Sequence, residues 1–163
     1  MTEQELAKLY DDYGARIHGY VLALVSNNSD AEEIMQDVFA AIFQRRRVPR
    51  DPERYLFRAA RNAAYSHLRW RRVRWKAQPR LEYQVILHHR SEGNAPWQDG
   101  EAQRALLGLP VKQREVVVLK VFQGMTFEEI GDMLEVSPNT AASRYRYAME
   151  KLRASLDAEE KSR

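Results

Sequence analysis

The chain of 163 residues contains no cysteine, only seven glycines and six prolines, and no long apolar run. The absence of cysteine excludes disulfides, thiolate metal sites and a cysteine nucleophile. Few glycines and prolines argue against disorder, a collagen-like chain or a loop-rich β-sandwich. No segment approaches the about 20 apolar residues of a membrane span, and the acidic N-terminus is unlike a signal peptide. We therefore expect one medium domain or two small ones in the cytoplasm, without membrane insertion.

The charges are unevenly distributed, although the formal net charge is only +3. Residues 1–44 carry two basic and eight acidic side chains, whereas residues 45–80 carry thirteen basic and two acidic ones. A basic segment of this density indicates phosphate binding, although a solvated basic helix is an equally good explanation of the charge alone. Arginines are interleaved with tryptophans in residues 67–76, which favours stacking on unpaired bases as well as phosphate contact. We expect two partners, with nucleic acid bound by the basic segment.

Hydrophobic periodicity predicts three helices in the first half of the chain, over residues 2–26, 30–46 and about 53–74. The loop 48–52 separates the second from the third, because each proline biases its predecessor away from helix. Asp30 is expected to cap the second helix. The inward side of that helix consists of Ile34, Val38, Phe39, Ile42 and Phe43. The third helix has an alanine-rich face, which permits close helix packing.

The helical pattern stops between residues 77 and 100, where glycine, proline and polar residues are typical of a linker. Within it, residues 81–87 form a short apolar segment to which no state is assigned. His88 and His89 have no carboxylate or cysteine at ligand spacing, so we interpret them as surface histidines. We expect no metal and no other cofactor.

Helical character resumes over residues 101–158. Residues 116–122 have the composition of a buried strand, but no partner strand is apparent. Pro110 precedes them, and Gly124 can end a helix there. We therefore predict a helix for this segment.

Two capping signals in close succession predict a helix-turn-helix. Thr126 and Glu129 form a capping box, and Ser137 followed by Pro138 begins the next helix. In such a motif the N-terminal residues of the second helix reach base edges in the major groove. The side chains off its buried stripe are Asn139, Thr140, Ser143, Arg144, Arg146 and Tyr147. An ordinary αα-hairpin with arginines kept for solubility is the alternative interpretation.

Three ordered segments resemble bacterial RNA polymerase sigma factors of the extracytoplasmic-function (ECF) group. They are residues 30–39 (DAEEIMQDVF), residues 55–69 (YLFRAARNAAYSHLR) and a C-terminal block with Leu109-Pro110, Gln113–Val116, Phe127–Ile130 and Ser143-Arg144. The resemblance implies an all-α protein of two small helical domains joined by a flexible linker, the C-terminal one containing the helix-turn-helix. The implied divisions are sigma domain two (1–76), linker (77–100) and sigma domain four (101–163).

The resemblance also implies a role for individual residues. Those that match the surface docking on a coiled coil of the polymerase β′ subunit are Glu33, Gln36 and Asp37. Those implied to contact the minus-ten element are Tyr55, Arg58, Arg61, Asn62 and Arg69, beside a loop, 47–52, that holds a flipped base. The six side chains of the second helix named above are implied to contact the minus-thirty-five element. The sequence departs from the family pattern at Ser66, Ala142 and Tyr147.

The implied partners are core RNA polymerase, through its β′ coiled coil and β flap, promoter DNA and an anti-sigma factor. The first alternative is a helix-turn-helix regulator that acts without polymerase, but the chain shows no dimer seam and such a protein needs no acidic docking helix. The second alternative is a metal-dependent nuclease or phosphoryl-transfer enzyme using Asp11, Asp12, Asp30 and Asp37. These carboxylates fall at solvent positions of amphipathic helices, and no nucleotide-binding or hydrolase motif is present. We therefore expect no enzymatic activity.

Overall fold

The computed structural model describes residues 1–45, 47–75 and 100–163. Every element in these ranges is helical, and they contain no strand, so the prediction of an all-α protein is confirmed. The chain divides into two compact units, Met1–Gly93 (unit 1) and Asn94–Arg163 (unit 2). The apolar segment 81–87 and the predicted linker, apart from Gly100, lie outside the described residues.

Unit 1 is built from three helices: α1 (Glu3–Val25), α2 (Asn28–Phe43) and α3 (Pro52–Trp75). Each of the three packs against the other two. The side chains that fill the space between them are fully or almost fully buried: Ile17, Tyr20, Leu24, Ile42, Leu56, Phe57, Ala60 and Ala64. The alanine-rich face of α3 thus packs in the core, as its sequence predicts.

The turn between α1 and α2 differs from the prediction. Ser26 takes a left-handed conformation (φ 59°) and its N–H donates to the Leu22 carbonyl at 2.8 Å. Asn27, not Asp30, caps α2, because its extended backbone brings its side-chain oxygen within 2.9 Å of the Asp30 N–H. The predicted Asp30 cap was therefore wrong, and its carboxylate points to another helix instead.

The end of α2 is also different, since the helix stops at Phe43 rather than at residue 46. Phe43 was predicted to face inward, but 40% of it is exposed. Successive residues are about 100° apart around a helix. Ile42 occupies the buried position of the last turn, so its neighbour Phe43 lies at the surface.

Unit 2 contains α4 (Gly100–Leu107), α5 (Val111–Val117), α6 (Phe127–Leu134) and α7 (Pro138–Lys161). A π-helical turn, Val118–Phe122, continues α5, so the helical prediction for this segment is confirmed. The long helix α7 packs against each of the other three helices, so it is the central helix of the unit.

A glycine and a buried arginine shape the loops of unit 2. Gly124 ends the π-helical turn with φ 66°, as predicted, and the N–H of Met125 donates to the Leu119 carbonyl at 3.1 Å. Arg114 is buried, and its guanidinium donates to the carbonyls of Leu107 (3.3 Å) and Leu109 (3.0 Å). A side chain of α5 thereby satisfies carbonyl groups left unpaired where α4 ends.

Candidate nucleic-acid interface

The turn of the helix-turn-helix is held by backbone geometry. Glu135 has φ 58°, a left-handed conformation that ends α6, and the N–H of Val136 donates to the Gly131 carbonyl at 3.0 Å. A Cβ on Gly131 would lie only 2.7 Å from the Val136 carbonyl oxygen and 3.2 Å from the nitrogen of Pro138. Only glycine therefore fits where the turn crosses α6. Gly131 was missed in the sequence, where its signal was a glycine inside an otherwise good helical pattern.

Both helices of the motif begin with the predicted caps. The N–H of Thr126 donates to the Glu129 carboxylate at 2.7 Å, and the N–H of Glu129 donates to the Thr126 hydroxyl at 3.1 Å. The N–H of Thr140 donates to the Ser137 hydroxyl at 3.1 Å, and the two hydroxyls lie 2.9 Å apart. Pro138 occupies the first turn of α7. The start of α7 is thus fixed before any ligand arrives.

The six predicted minus-thirty-five residues lie in the first three turns of α7. Ala141 and Ala148 are buried on the inner side, and Tyr145 packs edge-on against Phe127 with ring centroids 5.6 Å apart. The exposed members are Asn139, Arg146 and Tyr147, and the half-buried ones are Thr140, Ser143 and Arg144. Thr140 differs from the others because its hydroxyl already takes part in the N-terminal cap. The motif therefore presents one compact polar surface.

The predicted minus-ten residues all lie on α3. The spacing of Tyr55, Arg58, Asn62 and Arg69 places these four along one side of the helix, which we call the α3 stripe. From first to last it spans roughly 21 Å at about 1.5 Å per residue. Arg61 lies beside the stripe, with its guanidinium 4.6 Å from the ring centroid of Tyr65. The helix thus offers aromatic, amide and cationic groups over several nucleotides' length.

Two contacts of this region were not predicted. The Arg45 guanidinium lies 4.7 Å from the ring centroid of Tyr55, and its Nη1 donates to the Tyr55 hydroxyl at 3.0 Å. This pair joins the residues just after α2 to the first turn of α3, on either side of the loop 47–52. Farther along the helix, Arg69 donates to the Ser66 hydroxyl at 3.1 Å. Sequence spacing carries no signal for a contact between side chains ten residues apart across a loop.

Part of the basic segment is structural. Asp30 Oδ2 lies 3.0 Å from His67 Nε2 and 3.4 Å from Arg71 Nη1, and all three side chains are less than a quarter exposed. Arg71 also donates to the Val25 carbonyl at 3.1 Å, so it fastens α3 to the turn between α1 and α2. By contrast, Trp70 is 55% exposed, and the Arg74 guanidinium lies over its ring, 4.4 Å from the ring centroid. The basic residues of α3 therefore divide into an internal set and a surface set.

One acidic surface of unit 1 lies on α2, and α1 exposes further carboxylates. Glu33, Gln36 and Asp37 are all exposed, and we call them the α2 face. Ile34 and Val38 are buried on the opposite side of the helix. One small unit therefore presents an acidic surface on one helix and a basic and aromatic surface on another.

In residues 1–45, 47–75 and 100–163, no group of three or more histidine, cysteine, aspartate or glutamate side chains is placed to hold a metal ion. Within the same ranges, no helix has the length and apolar character needed to cross a membrane.

Comparison with known proteins identifies the same two units. A family model described as Sigma-70 region 2 matches residues 9–74, and one described as Sigma-70, region 4 matches residues 99–152. The RNA polymerase sigma factor CarQ of Myxococcus xanthus is 29% identical over 151 residues, which are 91% of this chain and 87% of that protein. The ECF RNA polymerase sigma factor RpoE of Cereibacter sphaeroides is 27% identical over 162 residues, with 93% and 86% covered.

Solved structures show the same fold. The sigma factor RpoE of Bartonella quintana, solved with the anti-sigma factor NepR, superposes with a TM-score of 0.69 at 22% identity over 95% of this chain and 96% of that one. CnrH, solved with the cytosolic domain of CnrY, gives a TM-score of 0.67 at 22% identity, with 96% and 90% covered. With both sigma-70 regions present in order and ECF sigma factors among relatives that align over about nine tenths of it, the chain belongs to the ECF group of bacterial RNA polymerase sigma factors.

Proposed function

We propose that the two helical units divide the work of an ECF sigma factor, which directs RNA polymerase to initiate transcription at promoters. Residues 1–76 dock on core polymerase and bind the minus-ten element, residues 101–163 bind the minus-thirty-five element, and residues 77–100 connect them. The observation that carries this division is the pair of oppositely charged surfaces on α2 and α3 of unit 1. A single-stranded or duplex DNA ligand alone explains the basic surface but not the acidic one.

The α2 face is the proposed docking surface for the β′ coiled coil. Glu33 and Asp37 are one turn apart and exposed, so both carboxylates can meet basic side chains of a partner helix without moving the core of unit 1. Because the α2 face is acidic, it also repels DNA phosphates and leaves α3 as the nucleic-acid surface. Charge thereby orients the unit between its two partners.

The α3 stripe is the proposed surface for the melted minus-ten element. Extruding a base from the duplex costs a few kcal/mol, and stacking on an aromatic ring returns about 1–3 kcal/mol per base. Tyr55 supplies the ring, and Arg58, Arg61 and Arg69 supply positive charge for the backbone. Asn62, which is exposed, offers amide groups to a base edge.

The start of α7 is the proposed reader of the minus-thirty-five duplex. Its capped first turn carries Asn139 and Thr140, and Ser143, Arg144, Arg146 and Tyr147 follow along the helix. Arginine paired with a guanine edge gives sequence discrimination, whereas arginine on a phosphate gives affinity alone. We assign the guanine contact to Arg144 and a contact with the DNA phosphates to the exposed Arg146.

Further partners follow by analogy with the structural neighbours. Both were solved with an anti-sigma factor or with the cytosolic domain of a partner, so we propose that an anti-sigma factor also controls this chain. Unit 2 is proposed to contact the β flap. Acting as a cytoplasmic regulatory subunit, the chain needs no catalytic centre of its own. A stand-alone helix-turn-helix regulator is not favoured, because both sigma-70 regions are present.

The test is a fluorescence anisotropy titration of labelled protein with core RNA polymerase. We expect the double variant Glu33→Lys/Asp37→Lys to lose binding at polymerase concentrations that saturate the wild type, because it reverses the charge of the α2 face. The matched control, Glu3→Lys/Asp11→Lys, makes the same change in net charge on exposed positions of α1. Circular dichroism melting must show that both variants fold.

Two results would count against the proposal. Unchanged polymerase binding by the α2 variant would remove the docking assignment. Tight binding of the wild-type chain to one particular duplex, without any binding to polymerase, would favour the stand-alone regulator instead.

A further inference from the structure

We propose that Arg45 is a further DNA-binding residue of unit 1. Its guanidinium leaves the ring of Tyr55 when an unpaired base stacks there, and it then binds a phosphate of the captured strand. This inference rests on the proposed function of Tyr55 as a stacking residue, and it adds a residue that neither the sequence pattern nor the family resemblance indicated.

The geometry places the guanidinium where the base would go. Arg45 is exposed at the surface, with its Cζ 4.7 Å from the ring centroid of the half-buried Tyr55. Because the arginine itself lies in solvent, the ring face it covers is one that a nucleobase could otherwise reach. A base stacked on that face and the guanidinium cannot occupy the same space, so binding requires an exchange.

The strengths of the contacts allow this exchange. An exposed cation–π contact contributes about 2- to 5-fold to an equilibrium constant. A hydrogen bond such as that to the Tyr55 hydroxyl contributes about 2- to 10-fold. A base stacked on an aromatic ring contributes about 5- to 150-fold. The losses and the gain are thus comparable, and a charge-assisted contact of the displaced guanidinium with phosphate favours the bound state.

The position of Arg45 in the chain suits the second half of the exchange. It lies at the start of the loop that leads to α3, and Tyr55 lies just beyond the loop's end. A nucleotide whose base stacks on Tyr55 therefore brings its own phosphate close to Arg45. Arg47, which is also exposed in this loop, is the natural comparison because it carries the same charge.

The experiment measures binding of holoenzyme to a fluorescein-labelled single strand. The strand carries the minus-ten sequence of a promoter that this holoenzyme recognises. Tyr55→Phe keeps the ring and removes the hydroxyl that holds Arg45. We expect it to bind about 2- to 10-fold more tightly. The same change made together with Arg45→Ala should have no effect, since the contact it weakens is then absent.

Arg45→Ala supplies the second readout. It should reduce the slope of log affinity against log salt by about 0.7, the value for one phosphate contact with a single strand. Arg47→Ala removes the same charge, but it should leave the full effect of Tyr55→Phe in place. Equal effects of Tyr55→Phe with and without Arg45, or an unchanged salt slope in Arg45→Ala, would overturn the inference.

Tyr55→Ala separates this inference from the proposed function when it is made in the Arg45→Ala background, where no arginine is left to be released from the ring. A loss of about 5- to 150-fold shows that the ring stacks on a base, so any failure of the previous measurements then refutes the role of Arg45 alone. No loss in Arg45→Ala/Tyr55→Ala relative to Arg45→Ala would refute the stacking role of Tyr55 and the exchange together.

Discussion

The two units hold their candidate DNA-binding residues differently, although unit 2 also has one arginine beside an aromatic ring, Arg146 with its Cζ 5.1 Å from the ring centroid of Tyr147. In unit 1 the aromatic and cationic groups already contact each other, as Arg45 does with Tyr55 and Arg61 with Tyr65. In unit 2 the polar residues project from a helix whose start is fixed by the Ser137 cap and by a turn that only Gly131 permits. The difference matches the proposed ligands: a melted strand supplies groups that replace internal contacts, whereas a duplex offers a shape that a rigid helix can fit.

Substitutions should therefore act differently in the two units. Changes in the frame of unit 2 should act on folding and on duplex recognition together, because the helix must already be in place. Changes at the surface of unit 1 should act on binding while the three-helix core, which lies elsewhere, stays intact. Three sets of variants show how far unit 2 depends on its frame: Gly131→Ala, Arg144→Ala, and Thr126→Ala beside Thr2→Ala.

The largest effect is expected for Gly131→Ala. The new Cβ would lie 2.7 Å from the Val136 carbonyl oxygen, and this neighbour is backbone, which cannot rotate away. Forcing such a contact costs about 3 kcal/mol. We expect calorimetry to show a lower melting temperature, and amide hydrogen exchange to place the loss of protection in α6 and α7 while α1–α3 keep theirs. Recognition of the minus-thirty-five element should be lost with it.

Gly19→Ala is the matched control for that variant. Gly19 lies inside α1, and a Cβ there would meet nothing within 4 Å. Because alanine is the better helix former, we expect stability to rise by about 0.5–1 kcal/mol. If Gly131→Ala melted like the wild type, the turn would not depend on a close backbone approach. The proposal that α7 is a rigid helix already in place for duplex binding would then be wrong.

Much of the helical frame was predictable from the sequence, because it depends on local signals. The capping box of Thr126, the restart at Ser137 and the glycine that ends the segment before α6 each act within a few residues. The Asn27 cap was missed because Asn27 and Asp30 are both good capping residues, and only the backbone conformation decides between them.

Contacts between helices were not predictable in the same way. Arg71 looked like part of a nucleic-acid surface, yet it bonds to the Val25 carbonyl and lies beside Asp30. Arg16 likewise pairs with Glu53 at 2.7 Å. Charge counted along the chain cannot distinguish side chains that pair with another helix from those that face a ligand, since this depends on which helix faces which. The structure therefore reduces the surface available to DNA to a subset of the basic residues.

An intermediate effect is expected for Arg144→Ala, which changes the surface of unit 2 and not its frame. If Arg144 pairs with a guanine, promoter binding should weaken by about 1–3 kcal/mol and the preference at that base pair should relax. Competition binding of holoenzyme to promoters with single substitutions in the minus-thirty-five element measures both. Arg153→Ala, which removes an exposed charge farther along α7, is the control. An effect that follows salt but not sequence would make Arg144 a phosphate contact.

The smallest effect compares the same capping box in the two units. Thr2 and Glu5 at the start of α1 repeat the geometry of Thr126 and Glu129, with an N–H to carboxylate distance of 2.7 Å in both. The eight-residue α6 depends on its cap more than the 23-residue α1, whose first turn can fray without exposing the core. We expect Thr126→Ala to destabilise unit 2 by about 1 kcal/mol and Thr2→Ala to affect unit 1 less, both measured by denaturant unfolding.

An NMR titration shows whether the cap of α1 forms even where its loss is thermodynamically small. The Thr2 N–H, with help from the Thr2 hydroxyl, holds the pKa of the Glu5 carboxyl below its ordinary value. A lowered folded-state pKa means that this contribution is complete above the unfolded pKa and is lost as pH falls through the folded one. Thr2→Ala removes the hydroxyl but keeps the N–H, so it should raise the pKa of Glu5 only part of the way toward its ordinary value. If Thr2→Ala instead destabilised the protein as much as Thr126→Ala, local capping would matter equally in both units, and the greater dependence of unit 2 on its frame would be refuted.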